Sequence, residues 1–267
     1  MNPPRRRKRQ NGSAYSASMA RLYLIRHAQS ENNAIWDGRG DAQPGRRPDP
    51  EITATGHGQA EVLATHLAHP EAEPRQHPFE PAGRAHFGLS HVYCSLMTRS
   101  ILTAEYIARA CGIELQALPD IFEKHGIYDI DDNGNLVGIA GPGRDYFDQR
   151  FPRLGLPDEF DDRGWWNRPV EDEAAFLQRV QAVVAQLHDR LGGSDEVLGL
   201  VVHGDFIDQF INEVMGVVRY QPNYDSHWAG NWTFHNTSIT RIDFADGARS
   251  VVYLNRIDHL SNDLVSW

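Results

Sequence analysis

The sequence predicts an α/β fold of three layers, α/β/α, with a mainly parallel central sheet, one antiparallel edge strand and an inserted cap segment. Three observations predict it. Short apolar runs of strand length alternate with longer segments whose apolar residues recur at helical spacing, the pattern of a parallel sheet covered on both faces. Two runs near the C-terminus flank Ala245-Asp246-Gly247, a hairpin signal that adds an antiparallel edge. Between 123 and 172 neither period holds, which marks an insertion.

Taken in order, residues 1–18 are rich in Arg, Pro, Ser and Asn without a hydrophobic period and read as a disordered basic arm. A single domain is expected over 19–267, and Met19 is an alternative translation start that the intact mass of the native protein decides. Arg21-Leu-Tyr-Leu-Ile-Arg26 has strand length, and the polar Gln29-Ser-Glu-Asn-Asn33 suits a strand-end loop entering a helix. A loop is expected over 37–50, then a helix over 53–67 with threonines near its start as caps. His91-Val-Tyr-Cys94 reads as a strand, and the helix expected from 98 to 110 stops at Gly112. The clearest helix spans 172–191, with Phe176, Leu177, Val180, Val183, Val184 and Leu187 on one face. Val197-Leu-Gly-Leu-Val-Val202 is a buried-strand run leading into a helix over 206–215. In the cap, about 127–168, Tyr146, Phe147, Phe151, Phe160, Trp165 and Trp166 argue for an ordered segment, with Arg144 and Arg153 as candidate substrate contacts. The ordinary explanation is a surface insertion packing its own aromatics.

Composition bounds the function. Of 267 residues, 40% are hydrophobic and 23% charged, the balance of a globular chain large enough to bury a core without disulfides. Two cysteines without framework spacing, and no secretory leader ahead of the first strand, lead to the expectation of a reducing, cytoplasmic setting. No apolar run has bilayer length, so no membrane partner is expected. The net charge is −10, and Arg5, Arg6, Arg7, Lys8 and Arg9 make the remainder more acidic still, so no nucleic-acid partner is expected either. Lys8 and Lys124 are the only lysines among 26 basic residues. An anion site here is built from arginine.

In open α/β sheets reactive groups gather where the strands end. One expected strand ends in Arg26-His27, another leads to Ser95 and Arg99, and a third ends in His203-Gly204. Singly, each has a structural explanation, a packed histidine or a solvated arginine. Together they form a positive crevice whose natural guest is a phosphoryl group. Flanking arginines hold a histidine neutral, and a neutral imidazole nitrogen can take the phosphoryl group covalently. The chemistry then needs a carboxylic acid to protonate the leaving oxygen.

These residues resemble the histidine phosphatase superfamily, also called phosphoglycerate mutase-like. Leu24-Ile-Arg26-His27-Ala28-Gln29-Ser30-Glu-Asn-Asn33 is similar to its R-H-G-[EQ]-[ST]-x-x-N signature, Ile52-Thr53-x-x-Gly56-x-x-Gln59-Ala60 to L-T-x-x-G-x-x-Q-A, Cys94-Ser95-Leu-Met-Thr-Arg99 to S-S-P-L-x-R, and Val201-Val-His203-Gly204 to V-x-H-G. Asn236-Thr-Ser-Ile-Thr240 and Asn255-Arg-Ile-Asp-His259-Leu260 match its C-terminal segments. The resemblance implies that His27 is the nucleophile, that Arg26, Arg99 and His203 hold phosphate, and that Asn33 and the Gly204 amide assist. Leu118-Pro-Asp-Ile-Phe-Glu123-Lys-His-Gly126 resembles the family's acid motif with altered spacing, which makes Glu123 the expected acid and Asp120 the fallback. Ala28 replaces a glycine, adding a methyl near the phosphate; Leu96 replaces a proline; and Ile127-Tyr128 stand where a tryptophan is usual.

The expected activity is phosphomonoester hydrolysis, of histidine acid phosphatase type, through a phosphohistidine on a small phosphorylated metabolite, without a cofactor or metal. A mutase is the first alternative, opposed by the absence of an aromatic after Glu123-Lys-His. A non-catalytic phosphate-binding or basic-arm module is the second. His66 and His69 sit three apart on an expected helix, but no third ligand lies nearby in sequence, so they read as solvated. Asn231-Trp-Thr233 and Asn236-Thr-Ser238 fit a glycosylation pattern that means little without a secretory leader. A homodimer is left open.

Overall fold

The computed structural model of the chain describes residues 18–36, 44–69, 87–217, 232–245 and 247–267. The basic run at 5–9, the first half of the 37–50 loop, Asn231 and the turn residue Asp246 lie outside the described residues. In chain order the elements are β1 (Met19–Arg26), α1 (Glu31–Ile35), α2 (Ala54–Ala68), β2 (His91–Cys94), α3 (Thr98–Cys111), β3 (Leu115–Ala117), β4 (Tyr128–Ile130), β5 (Leu136–Gly138), α4 (Arg144–Arg150), β6 (Leu154–Gly155), α5 (Glu173–Leu191), β7 (Val197–Val202), α6 (Gly204–Met215), β8 (Ile239–Ala245) and β9 (Ala248–Arg256).

The main sheet has seven strands in the order β6-β3-β2-β7-β1-β8-β9. From β6 to β1 every pairing is parallel, and β8 and β9 add antiparallel pairings. The expected single antiparallel edge is therefore a two-stranded hairpin. β1 and β7 are apolar throughout because both faces of a central parallel strand are covered. One face packs against α2 and α3 through Leu63, Leu67, Ile101 and Ile107, and the other against α5 and α6 through Val180, Leu187, Phe206 and Phe210. Local signals set the helix ends. The Thr53 hydroxyl accepts from the Gly56 N–H, the Asp172 carboxylate accepts from the Ala175 N–H, and Gly112 ends α3 at φ 67°.

The stretch expected as a cap carries the small hairpin β4-β5, α4 and the edge strand β6. Phe147, Phe151, Trp165 and Trp166 sink into the same apolar cluster as Val92 and Ile101. These aromatics extend the main core rather than forming a core of their own. Cys94 and Cys111 are free. Among the described residues no helix is long and apolar enough to cross a membrane.

Candidate active site

β2, β7 and β1 are adjacent and parallel, so the residues following their C-terminal ends share one edge of the sheet. A cavity of about 500 Å³ opens there, lined among others by Arg26, His27, Asn33, Arg46, Arg99, Glu123, Tyr128 and Asp205. Four of the sequence-expected groups thus reach it directly with Glu123. His203 lies behind, fully buried, its ring 5.2 Å from that of His27. Asp120 faces away into an exposed turn and lines a different cleft.

His27 is locked in one tautomer. Its Nδ1 lies 2.7 Å from the Ala28 carbonyl oxygen, which can only accept, and its Nε2 accepts from Arg99 Nε at 3.1 Å. Nδ1 therefore carries the hydrogen and Nε2 the lone pair. Burial, then the charges of Arg99 and Arg26, hold the imidazole well below the usual histidine range, so it is neutral at pH 7. Burial and Arg99 act likewise on His203, whose Nε2 meets Ser95 Oγ at 2.7 Å while Nδ1 has no partner.

The arginines are fixed from behind. Arg26 donates Nη1 to the Phe234 carbonyl and keeps a buried Nε without a partner, and burial pushes it down to about 10. Arg99 stands on the first turn of α3. Met97, the residue before that helix, offers no side-chain cap; instead Asp49 accepts from the Thr98 N–H at 3.0 Å and from the Thr98 hydroxyl at 2.6 Å, with Arg99 Nη1 3.9 Å away. Asp49 escaped the sequence reading because it sits in a loop, and its contacts arise only on folding.

Glu123 is half-buried against the start of α6. Its carboxylate accepts from the N–H groups of Lys124 at 3.0 Å, Phe206 at 3.1 Å and Asp205 at 3.3 Å. Burial, reinforced by the Asp205 charge, nevertheless raises it to about 7 against those donors and Arg99. A carboxyl group so placed exchanges a proton near neutrality. Gly204 opens α6 where a methyl group would stand 3.6 Å from Arg26 Nε. Asn33 closes a capping box with Ser30, and its Oδ1 also accepts from Asn236 Nδ2, which donates as well to the His27 carbonyl.

Two expectations change. The Ala28 methyl does not crowd the cavity, since the residue is fully buried in a small cluster with Ile52 and Ala60. Arg144 and Arg153 do not line it. Arg144 is spent on the carbonyls of Phe160 and Pro157. Substrate-sized surface comes instead from Trp36, Arg46, Tyr128 and Trp267.

No curated protein sequence matches this chain. Among solved structures, the phosphoserine phosphatase of Entamoeba histolytica in complex with 3-phosphoglyceric acid is 19% identical, covering 91% of this chain and 100% of its own, with a TM-score of 0.53. A mutant of that enzyme in complex with phosphoserine gives 20%, 91%, 100% and 0.54. A mycobacterial glucosyl-3-phosphoglycerate phosphatase gives 17%, 90%, 100% and 0.50. At these identities the likeness is one of fold. The family model of the histidine phosphatase superfamily (branch 1) matches residues 82–257, about two thirds of the sequence, and with that the chain belongs to the histidine phosphatase superfamily.

Proposed function

We propose that the protein is a phosphomonoester hydrolase that works through a phosphohistidine at His27. The observation that carries this reading is the pairing of two groups in one cavity: a neutral imidazole that presents its Nε2 lone pair toward Arg99, and a carboxyl group that exchanges its proton near pH 7.

On this reading a phosphate monoester enters with its oxygens toward Arg26 and Arg99, and Arg99 Nε turns from His27 Nε2 to an equatorial oxygen. Nε2 forms the bond to phosphorus while the ester oxygen leaves with the proton of Glu123. The positive charge at phosphohistidine is eased by the Nδ1–H bond to the Ala28 carbonyl. Water then attacks phosphorus from the vacated side, gives its proton to the Glu123 carboxylate, and Nε2 departs. The products are alcohol and orthophosphate, with Glu123 protonated again. His203, Asn33 and the Gly204 amide are assigned to charge on the transferring group, where preorganised donors act most strongly.

The substrate class proposed is a small phosphorylated metabolite, since the cavity exceeds what phosphate alone fills and the structural neighbours include proteins solved with phosphoserine and 3-phosphoglyceric acid. The test is a phosphomonoester panel with wild type and His27→Ala, without added bisphosphoglycerate. Release of inorganic phosphate by wild type alone is expected. Phosphoryl exchange between positions of phosphoglycerate with negligible hydrolysis would replace hydrolase by mutase, and full activity in His27→Ala would remove the mechanism.

A further inference from the structure

The last turn of α2 meets the turn that follows β9. The rings of His66 and His259 stack there, 5.3 Å apart and 25° from parallel. One ligand atom from each of His66, Asp258 and His259 lies within 4.8 Å of the other two.

The hydrogen positions follow from Thr237. Its hydroxyl donates to the Asn236 carbonyl at 2.7 Å, so toward His259 Nε2, 3.3 Å away, it can only accept. His259 Nε2 therefore carries the hydrogen, and its Nδ1 is a bare lone pair in the neutral ring. That Nδ1 is buried without a partner, and so is His66 Nε2. Each of two stacked histidines thus keeps a ring nitrogen that finds no donor, and the pair lies beside a carboxylate. Arg256 forks onto Asp258, Nε to one oxygen and Nη2 to the other, which leaves each oxygen a further lone pair. In metal centres a ligating histidine typically has its other ring nitrogen hydrogen-bonded in this way, which fixes tautomer and aim.

We propose that His66, Asp258 and His259 form a binding site for a divalent transition-metal cation of the zinc type. Two imidazoles and one carboxylate are a donor set for Zn²⁺, Co²⁺ or Ni²⁺ rather than for the all-oxygen preference of Mg²⁺ or Ca²⁺. Bonds of about 2.0–2.1 Å place tetrahedral ligands roughly 3.3 Å apart, so the three side chains close by about 1 Å on binding, with water in the fourth position. The bound cation ties the end of α2 to the C-terminal segment. It also holds the partner of Thr237, whose backbone N–H donates to the Arg26 carbonyl at 3.1 Å. The cation has no part in the phosphoryl chemistry, and its site does not rest on the hydrolase reading. Sequence spacing offered only His66 and His69; the missing groups arrive from the far end of the chain.

The experiment is calorimetric titration of the metal-stripped, full-length protein with Zn²⁺, paired with thermal unfolding and with Co²⁺ absorption of the wild type. Expected are one equivalent bound, a rise in melting temperature on binding, and intense visible Co²⁺ bands of a tetrahedral site. His66→Ala and His259→Ala each weaken zinc binding by about tenfold or more, while His27→Ala leaves it unchanged. Absence of stoichiometric uptake by the wild type overturns the site, as does uptake that persists in both His66→Ala and His259→Ala or vanishes in His27→Ala. The wild-type Co²⁺ spectrum decides the matter even if a variant folds poorly.

Discussion

Replacing Glu123 by Gln keeps the shape of the side chain and removes its proton exchange. The carboxyl group sits at about 7, raised chiefly by burial and by Asp205. As the acid for the leaving oxygen it must be protonated, so with substrates whose transfer to His27 limits turnover the rate falls as pH rises through about 7. The acid form then declines by roughly tenfold per further unit. Glu123→Gln removes this alkaline limb, because an amide does not titrate. General acid–base catalysis contributes about 10²–10⁴-fold, and a loss in that range is expected for alkyl phosphates, whose alkoxides leave poorly unprotonated. With p-nitrophenyl phosphate the transfer step itself needs little help, so the variant retains a burst of nitrophenol with a slow steady state behind it, as water attack lacks its base. Stopped-flow release of nitrophenol and phosphate release from an alkyl phosphate, both across pH 5–9, measure these effects. A Gln variant that keeps the alkaline limb, or loses less than tenfold on alkyl phosphates, refutes the assignment.

Asp49→Ala removes the cap on α3 and the anion behind Arg99; stability is expected to fall by about 1 kcal/mol, and the Ki of inorganic phosphate to rise, with Asp49→Asn restoring stability more than phosphate affinity. Gly126 lies at φ 76°, and a methyl there falls 2.4 Å from the Trp166 ring. Gly126→Ala is therefore expected to cost about 1–3 kcal/mol in urea unfolding and to lower kcat, since the Gly126 N–H is bonded to the Glu123 carbonyl. Arg46 lies over the Tyr128 ring and has no carboxylate partner among the described residues; Arg46→Ala is expected to raise KM for substrates bearing a second anionic group and to spare those without one. Arg144→Ala leaves selectivity on the same panel unchanged.

β1, β7 and α5 were legible because their apolar patterns match their surroundings: unbroken runs between two helical layers, and one stripe facing the sheet. β3 and β6 were not, since three and two residues at a sheet edge carry no usable period. In the 127–168 stretch the aromatics were visible, but their destination was not. Trp166 packs edge-on to Phe122 at 4.9 Å, a contact between segments whose meeting no local pattern encodes. Arg26, His27, Arg99 and His203 stood out as candidates because each lies at or just beyond the end of a readable strand. The choice between Asp120 and Glu123 could not be made from spacing. The 3₁₀ turn Pro119–Ile121 leaves Asp120 in solvent, buries Phe122 and delivers Glu123 to the start of α6. Asp49 had no signal beyond a carboxylate in a proline-rich loop.

The central claim is that phosphorus becomes bonded to His27 Nε2. The direct measurement is to mix the protein with excess phosphomonoester, quench in alkali within the first turnovers, and map the phosphorylated residue by mass spectrometry with ³¹P NMR of the denatured protein. The account predicts an acid-labile, alkali-stable phosphoramidate on His27 alone, attached at Nε2, which forms no more slowly than turnover and is absent from His27→Ala. Turnover of p-nitrophenyl phosphate with no phosphoryl-enzyme trapped in wild type or in Glu123→Gln, or a phosphoryl group carried by another residue, contradicts it.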